Sequence, residues 1–151
     1  MTEEYRFYGH NPNKIGWMFS NFSNHPININ GRTYPTSEHY FQSMKFVTTD
    51  PDWADKIAKS PNPTICKKMG GSRDHPLRKD WEEIKDDVMR LALKTKAEQH
   101  PIFLKELLST RGRTIIEASP HDYYWGEGKN RTGKNMLGIL LMELRDSIAF
   151  K

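Results

Sequence analysis

Two carboxylates far apart in the chain, each set among aromatic side chains, are the features of this sequence best suited to chemistry. The first lies in Ser37-Glu-His-Tyr-Phe-Gln-Ser-Met-Lys45 and the second in Ser119-Pro-His-Asp-Tyr-Tyr-Trp-Gly-Glu-Gly128. Glu38, Gln42 and Lys45 stand at i, i+4 and i+7, so a helix carries all three on one side. Facing a cleft, such a carboxylate stabilises a cationic transition state or activates water, and Lys45 holds a phosphate or acts as a nucleophile. The plainer alternative is that Glu38 only complements the helix dipole in the first turn. Trp81, in Arg78-Lys-Asp-Trp81, is either a core anchor or a platform for a flat ring. Asp122, Tyr123, Tyr124 and Trp125 fall on a loop, and functional groups concentrate on loops held by rigid elements. Two separated carboxylates with aromatic faces beside them suit cleavage of a glycosidic bond. That reaction passes through an oxocarbenium-like transition state that a carboxylate stabilises.

Other chemistries find less support. The six histidines form no H-E-x-x-H pattern, and adjacent Glu38 and His39 diverge around a helix, so a metal site has no support. No G-x-S-x-G elbow marks a serine hydrolase. Gly126-Glu-Gly128 lacks the third glycine of a dinucleotide loop, and no phosphate-binding G-x-x-x-x-G-K-[ST] occurs.

The elements that must position these residues can be read from pattern and punctuation. Tyr5 to Tyr8 alternates weakly, as a short strand would. Ile27 to Tyr34 reads as a hairpin, because Asn30-Gly31 suits a turn that needs positive φ at both central positions. Thr36 or Ser37 caps a helix running to about Val47, with Tyr40, Phe41, Met44 and Val47 on its apolar arc. A short helix follows near Trp53 to Lys59. Asn62-Pro63 opens another, for which Gly70 is the expected C′ stop. The longest helix is expected from Asp80, with Glu83 completing a capping box and Trp81, Ile84, Val88, Leu91 and Thr95 in period. A helix over Pro101 to Leu108, a buried strand over Thr114 to Ala118, a polar-aromatic loop over 119–135 and a closing helix from Met136 to Ile148 complete the chain. The expectation is an α+β fold, predominantly α-helical, with a few short strands and no regular β-α-β alternation.

The chain has 151 residues, with no repeat or linker, which favours one domain over 1–151. No apolar run reaches the ~20 residues of a membrane span, and no signal-peptide pattern opens the chain. Single Cys66 excludes an internal disulfide. These features predict a soluble, cytoplasmic protein without a membrane partner. The formal charge of +4, spread along the chain, suits a phosphate-bearing ligand or nucleic acid without choosing between them.

Taken together, Phe19-Ser-Asn-Phe22, Tyr34-Pro-Thr-Ser-Glu-His-Tyr-Phe-Gln42, Lys45-Phe46, Arg78-x-Asp-Trp81, Asp122-x-x-Trp-Gly126, Gly133-Lys-Asn-x-Leu-Gly138 and Leu141-Met-Glu-Leu-Arg145 closely resemble the YbiA-like, or NADAR, family. The resemblance implies a compact, mainly helical fold and an N-glycosidase that needs neither metal nor cofactor. It also implies a substrate with a ribosyl–nitrogen bond beside a phosphate. In some members this is a phosphorylated ribosylamino-pyrimidine of early riboflavin synthesis; in others it is ADP-ribosylated guanine in DNA or RNA, or a molecule of NAD and ADP-ribose metabolism. By motif, Glu38 is the implied principal catalytic carboxylate, with Trp81, Asp122 and Trp125 as further active-site residues. Lys45 is implied either as a phosphate ligand or as a Schiff-base nucleophile. Asn21, Phe22, Gln42, Gly126, Lys134 and Asn135 are implied substrate-binding residues. Bulky Tyr124 before the tryptophan, and a short basic loop from Gly126 to Gly133 with Lys129 and Arg131, depart from expectation and are candidates for gating. A non-catalytic module that binds NAD or ADP-ribose is the alternative from another class, and a general nucleic-acid-binding domain is a third.

Overall fold

The computed structural model describes residues 3–148. Among them are β1 (Glu4–Phe7), a 3-10 turn (Trp17–Phe19), β2 (Ile27–Ile29), β3 (Arg32–Tyr34), α1 (Ser37–Met44), α2 (Pro51–Ala58), α3 (Pro63–Gly70), α4 (Trp81–Gln99), α5 (Pro101–Ser109), β4 (Thr114–Glu117) and α6 (Met136–Ser147). The fold is therefore α+β and predominantly helical, as expected. None of the helices among the described residues is long and apolar enough to cross a membrane. The residues form two compact units, one spanning Asn24–Gln99 and the other built from the stretch up to Ser23 and the stretch from His100.

In the Asn24–Gln99 unit, β2 and β3 form the expected antiparallel hairpin, Ile27 opposite Tyr34. Asn30 and Gly31 sit at φ 55° and 81°, the left-handed region that this turn requires. Thr36 caps α1 by accepting the His39 N–H. Helix α1 packs against α2, α3 and α4, so seven of its eight residues are buried, the polar Glu38, His39 and Gln42 included. A helix surrounded in this way cannot sort its faces into wet and dry. Its polar residues must instead find partners inside. His39 does so by accepting the Thr36 hydroxyl at Nδ1 and donating from Nε2 to the Ser60 carbonyl, at 2.8 and 3.0 Å.

Four expectations are corrected here. Helix α1 ends at Met44 and continues as turns, short of Val47. Gly70 is the last residue of α3, and its neighbour Gly71 caps the helix at φ −84°, so no left-handed stop occurs there. The Asp80 carboxylate takes the Arg78 guanidinium, at 2.7 and 3.2 Å, instead of forming a capping box with Glu83. The buried stripe of α4 takes in Trp81 and Thr95 as expected but also Met89, Ala92, Leu93 and Lys96, and Leu91 lies off it, 43% exposed.

In the other unit, β1 and β4 pair in parallel from Glu4–Thr114 to Phe7–Glu117. Helix α6 packs on β4. Phe19 packs edge-on against Phe7 and Phe103, with centroids 5.6 and 5.7 Å apart. Glu127 is ion-paired to Arg6 of β1, which pins the loop after β4 to the small sheet.

Candidate active site

Within the Asn24–Gln99 unit, the structure brings Glu38, Gln42, Lys45 and Trp81 together. Glu38 is 7% exposed. Its Oε2 accepts the Gln42 amide at 2.7 Å, a contact that the i, i+4 spacing makes possible. The other amide atom, Gln42 Oε1, is buried without a hydrogen-bond donor. It faces the Cα of Gly70, where an added Cβ would overlap the amide and come within 2.9 Å of Gln42 Cβ. With the carboxylate ionised, this is the orientation Gln42 must take, since the reverse would set two acceptors against each other. Gly70 is thus a glycine for close approach, a role that sequence reading missed.

Lys45, half-buried, extends past two rings. Its Nζ lies 5.9 Å from the Phe41 centroid and 5.8 Å from that of Trp81, and it donates to the Gly70 carbonyl at 3.4 Å. Burial lowers its pKa to about 8, against the opposing pull of the Glu38 charge. Trp81 is 5% exposed and tilts against Phe41 at 5.0 Å, so its ring is part of the wall beside Lys45. Cys66 donates to the Glu38 carbonyl at 3.6 Å. Burial, then the Glu38 charge, push this thiol up to about 12, which excludes it as a thiolate nucleophile near neutral pH.

Asp122, Trp125, Gly126, Lys134 and Asn135 all belong to the other unit, in the loop between β4 and α6. Asp122 Oδ1 accepts the backbone N–H groups of Tyr124 and Trp125 at 2.9 and 2.8 Å, an Asx-type turn that sets the aromatic pair. Tyr124 and Trp125 meet edge to face at 4.9 Å, and Lys134 Nζ lies 5.5 Å from the Tyr124 centroid. Gly126 is buried and its carbonyl accepts the Asn135 N–H at 3.0 Å. The Asn135 side chain is committed on both atoms. Its Oδ1 accepts from Glu117 N and its Nδ2 donates to the Ile115 carbonyl, each at 2.9 Å. Gly133 N donates to the Glu127 carbonyl at 2.7 Å, so the Gly126–Gly133 loop is tied at both ends and only its tip over 129–132 is exposed throughout. Asn21 and Phe22 lie in this same unit; Phe22 packs 5.6 Å from the His10 ring. Among the described residues, no group of three His, Cys, Asp or Glu side chains is arranged to hold a metal ion.

A buried helix that presents a carboxylate, an amide and a lysine against an aromatic wall, in a mainly helical fold with two small sheets, defines a NADAR-domain protein. The profile of that domain matches residues 6–149, and the chain belongs to the NADAR family. It is 47% identical over 133 residues to "N-glycosidase YbiA" of Shigella boydii, covering 88% of this chain and 82% of that one. It is 45% identical over 143 residues to the maize "Riboflavin biosynthesis protein PYRR, chloroplastic", covering 86% of this chain but 23% of that longer protein. The NMR structure of E. coli YbiA superposes with a TM-score of 0.85 at 41% identity, covering 97% of this chain and 86% of that one.

Proposed function

We propose that this protein is an N-glycosidase that hydrolyses the ribosyl–nitrogen bond of a phosphorylated ribosylamino-pyrimidine, an intermediate of riboflavin biosynthesis. The names carried by its relatives, N-glycosidase and riboflavin biosynthesis protein, support the reaction and this choice of substrate. The observation that carries the reading is the pairing of buried Glu38, held by Gln42, with a half-buried Lys45 whose pKa is lowered to about 8. As the C1–O4′ bond breaks and O4′ takes a proton from solvent, Glu38 stabilises the positive charge of the iminium formed at C1. At pH 7 a lysine with that pKa is neutral in about a tenth of molecules, far more than an ordinary lysine. The neutral amine adds to C1 of the ring-opened iminium, and the pyrimidine amine leaves with a proton. Water then hydrolyses the Lys45 imine, releasing ribose 5-phosphate and free lysine. We further propose that residues 1–151 are one domain, as the span of the family profile supports, and that it works in the cytoplasm, where a free thiol such as that of Cys66 stays reduced.

The test incubates wild type and Glu38→Ala with the ribosylamino-pyrimidine 5′-phosphate and, separately, with ADP-ribosylated guanine in DNA, following products by mass spectrometry. Cleavage of the first by wild type alone is the expected result, with borohydride trapping a ribosyl adduct on Lys45. Release of ADP-ribose alone would move the substrate to nucleic acid. Turnover of neither, with ADP-ribose bound equally by both proteins, would make this a binding module.

A further inference from the structure

The Gly70 carbonyl at the end of α3 gathers two cations. Lys45 Nζ donates to it at 3.4 Å and Arg73 Nη1 at 3.1 Å. Arg73 Nη1 also donates to the Ser72 carbonyl at 3.1 Å, so both hydrogens of that nitrogen are spent on backbone. Its Nε and Nη2 remain, the edge of a guanidinium whose two parallel donors match a phosphate. Among the described residues no carboxylate pairs with Arg73, not even neighbouring Asp74. Five residues on, Arg78 is the contrast: its Nε and Nη2 are taken by Asp80 and its Nη1 by the Met44 carbonyl. Lys67, on the preceding turn of α3, is likewise exposed and without an ion pair among the described residues. Both Arg73 and Lys67 bear on Lys45, each disfavouring its charged form. An array of like charges anchored on backbone, with its fork left open, costs free energy in the absence of an anion.

We propose that the Nε–Nη2 edge of Arg73, reinforced by Lys67, binds the 5′-phosphate of the substrate, leaving Lys45 to act at C1. The assignment rests on the ribosyl-phosphate reading above and adds to it the residues that make phosphate a requirement. The recognised chemistry is a phosphate ester on ribose, whether its other side is free or part of a pyrophosphate.

The experiment measures kcat and KM for the ribosylamino-pyrimidine 5′-phosphate and for its dephosphorylated nucleoside, in wild type, Arg73→Gln, Arg73→Lys and Lys67→Gln. Loss of a charge-assisted bidentate contact should raise KM for the phosphorylated substrate about tenfold or more in Arg73→Gln. At pH 9.5, where Lys45 is neutral with or without these neighbouring charges, turnover of the nucleoside should be unchanged, Arg73→Lys should recover part of the loss, and Lys67→Gln should give a smaller loss confined to the phosphorylated substrate. Equal loss on both substrates would overturn the proposal, making Arg73 a prop for Lys45, and so would no loss on either. Calorimetric titration of ribose 5-phosphate against ribose keeps the two readings separable. If wild type cleaves neither substrate, the N-glycosidase reading falls. Binding of ribose 5-phosphate that Arg73→Gln abolishes would still support the phosphate site, and no binding to wild type would overturn it.

Discussion

Glu38 and Lys45 are useful only in the states their surroundings impose, and both can be tested singly. Glu38→Gln preserves size and a hydrogen bond to Gln42 but removes the charge that answers the developing ribosyl cation. Losing a preorganised electrostatic partner of this kind should lower kcat by about 100-fold or more, with the circular dichroism spectrum and thermal midpoint close to wild type. For Lys45, the lowered pKa of about 8 gives the two roles left open by the sequence opposite pH signatures. A nucleophile needs the neutral amine, so kcat/KM should climb as pH rises through 8 and level off above it, since that ratio reports the free enzyme. A phosphate ligand needs the ammonium, so the same ratio would fall above 8. Lys45→Arg should abolish turnover in the first case and retain much of it in the second. At this scale the i, i+4, i+7 spacing made Glu38, Gln42 and Lys45 legible before any coordinates. Arg73 left no such signal, because its open edge depends on which backbone carbonyls its other nitrogen meets.

Between elements, the decisive contact is that of α1 with the end of α3. Gly70→Ala forces a Cβ into the Gln42 amide, and overpacking of this kind costs about 1–3 kcal/mol. Denaturant unfolding should show that loss, together with a fall in kcat as Gln42 is pushed from Glu38. Gly71→Ala is the control, because its Cβ meets only the Lys68 and Lys67 carbonyls at ordinary contact distance, 3.5 and 3.7 Å. A second element-scale prediction concerns Asn135, implied by family resemblance as a substrate contact. Its amide ties the start of α6 to β4 through Glu117 N and the Ile115 carbonyl. Asn135→Ala leaves two backbone groups short of a partner and should cost about 1–3 kcal/mol while leaving KM near wild type. A large KM effect with unchanged stability would return Asn135 to the binding residues. Element existence was legible throughout, since Asn30-Gly31, Thr36 and Asn62-Pro63 each punctuate by local chemistry. What escaped was set by neighbours. Gly70 reads as a stop from sequence because glycine usually is one, and its real reason is a side chain 28 residues earlier in the chain. Leu91 reads as core because leucine usually is, yet α4 turns Lys96 inward instead.

At the scale of the whole molecule, the buried ionisable groups set how stability depends on pH. Lys96 is fully buried, and desolvation lowers its pKa from 10.5 to about 7. Between those values the unfolded chain binds the proton more readily, so stability rises with pH. His39, lowered from 6.5 by burial, adds the same sign at lower pH, with stability lost as pH falls below 6.5. Cys66 acts in the opposite direction. Its thiol is raised from 9.0 to about 12, so from pH 9 upward the folded state keeps a proton that the unfolded state gives up, and stability falls. Tyr5 and Tyr40, raised from 10.0 chiefly by burial, extend that fall. From about pH 7 Lys96 acts unopposed, with a limiting slope of about 1.4 kcal/mol per pH unit, and half-buried Lys45, lowered from 10.5 to about 8, adds the same sign from pH 8. From 9 to 10 Cys66 offsets one of the two lysines and the rise slows, and above 10 the tyrosines join Cys66 and stability falls. The urea midpoint should therefore climb from pH 6 to 9, climb more slowly to about 10, and drop beyond. Lys96→Met should remove the climb between pH 7 and 8 and leave a weaker one above it from Lys45, and Cys66→Ala should delay the drop. A midpoint that stays level between pH 7 and 8 in wild type and in Lys96→Met alike would mean that the Lys96 ammonium is as well accommodated inside the protein as it is in water.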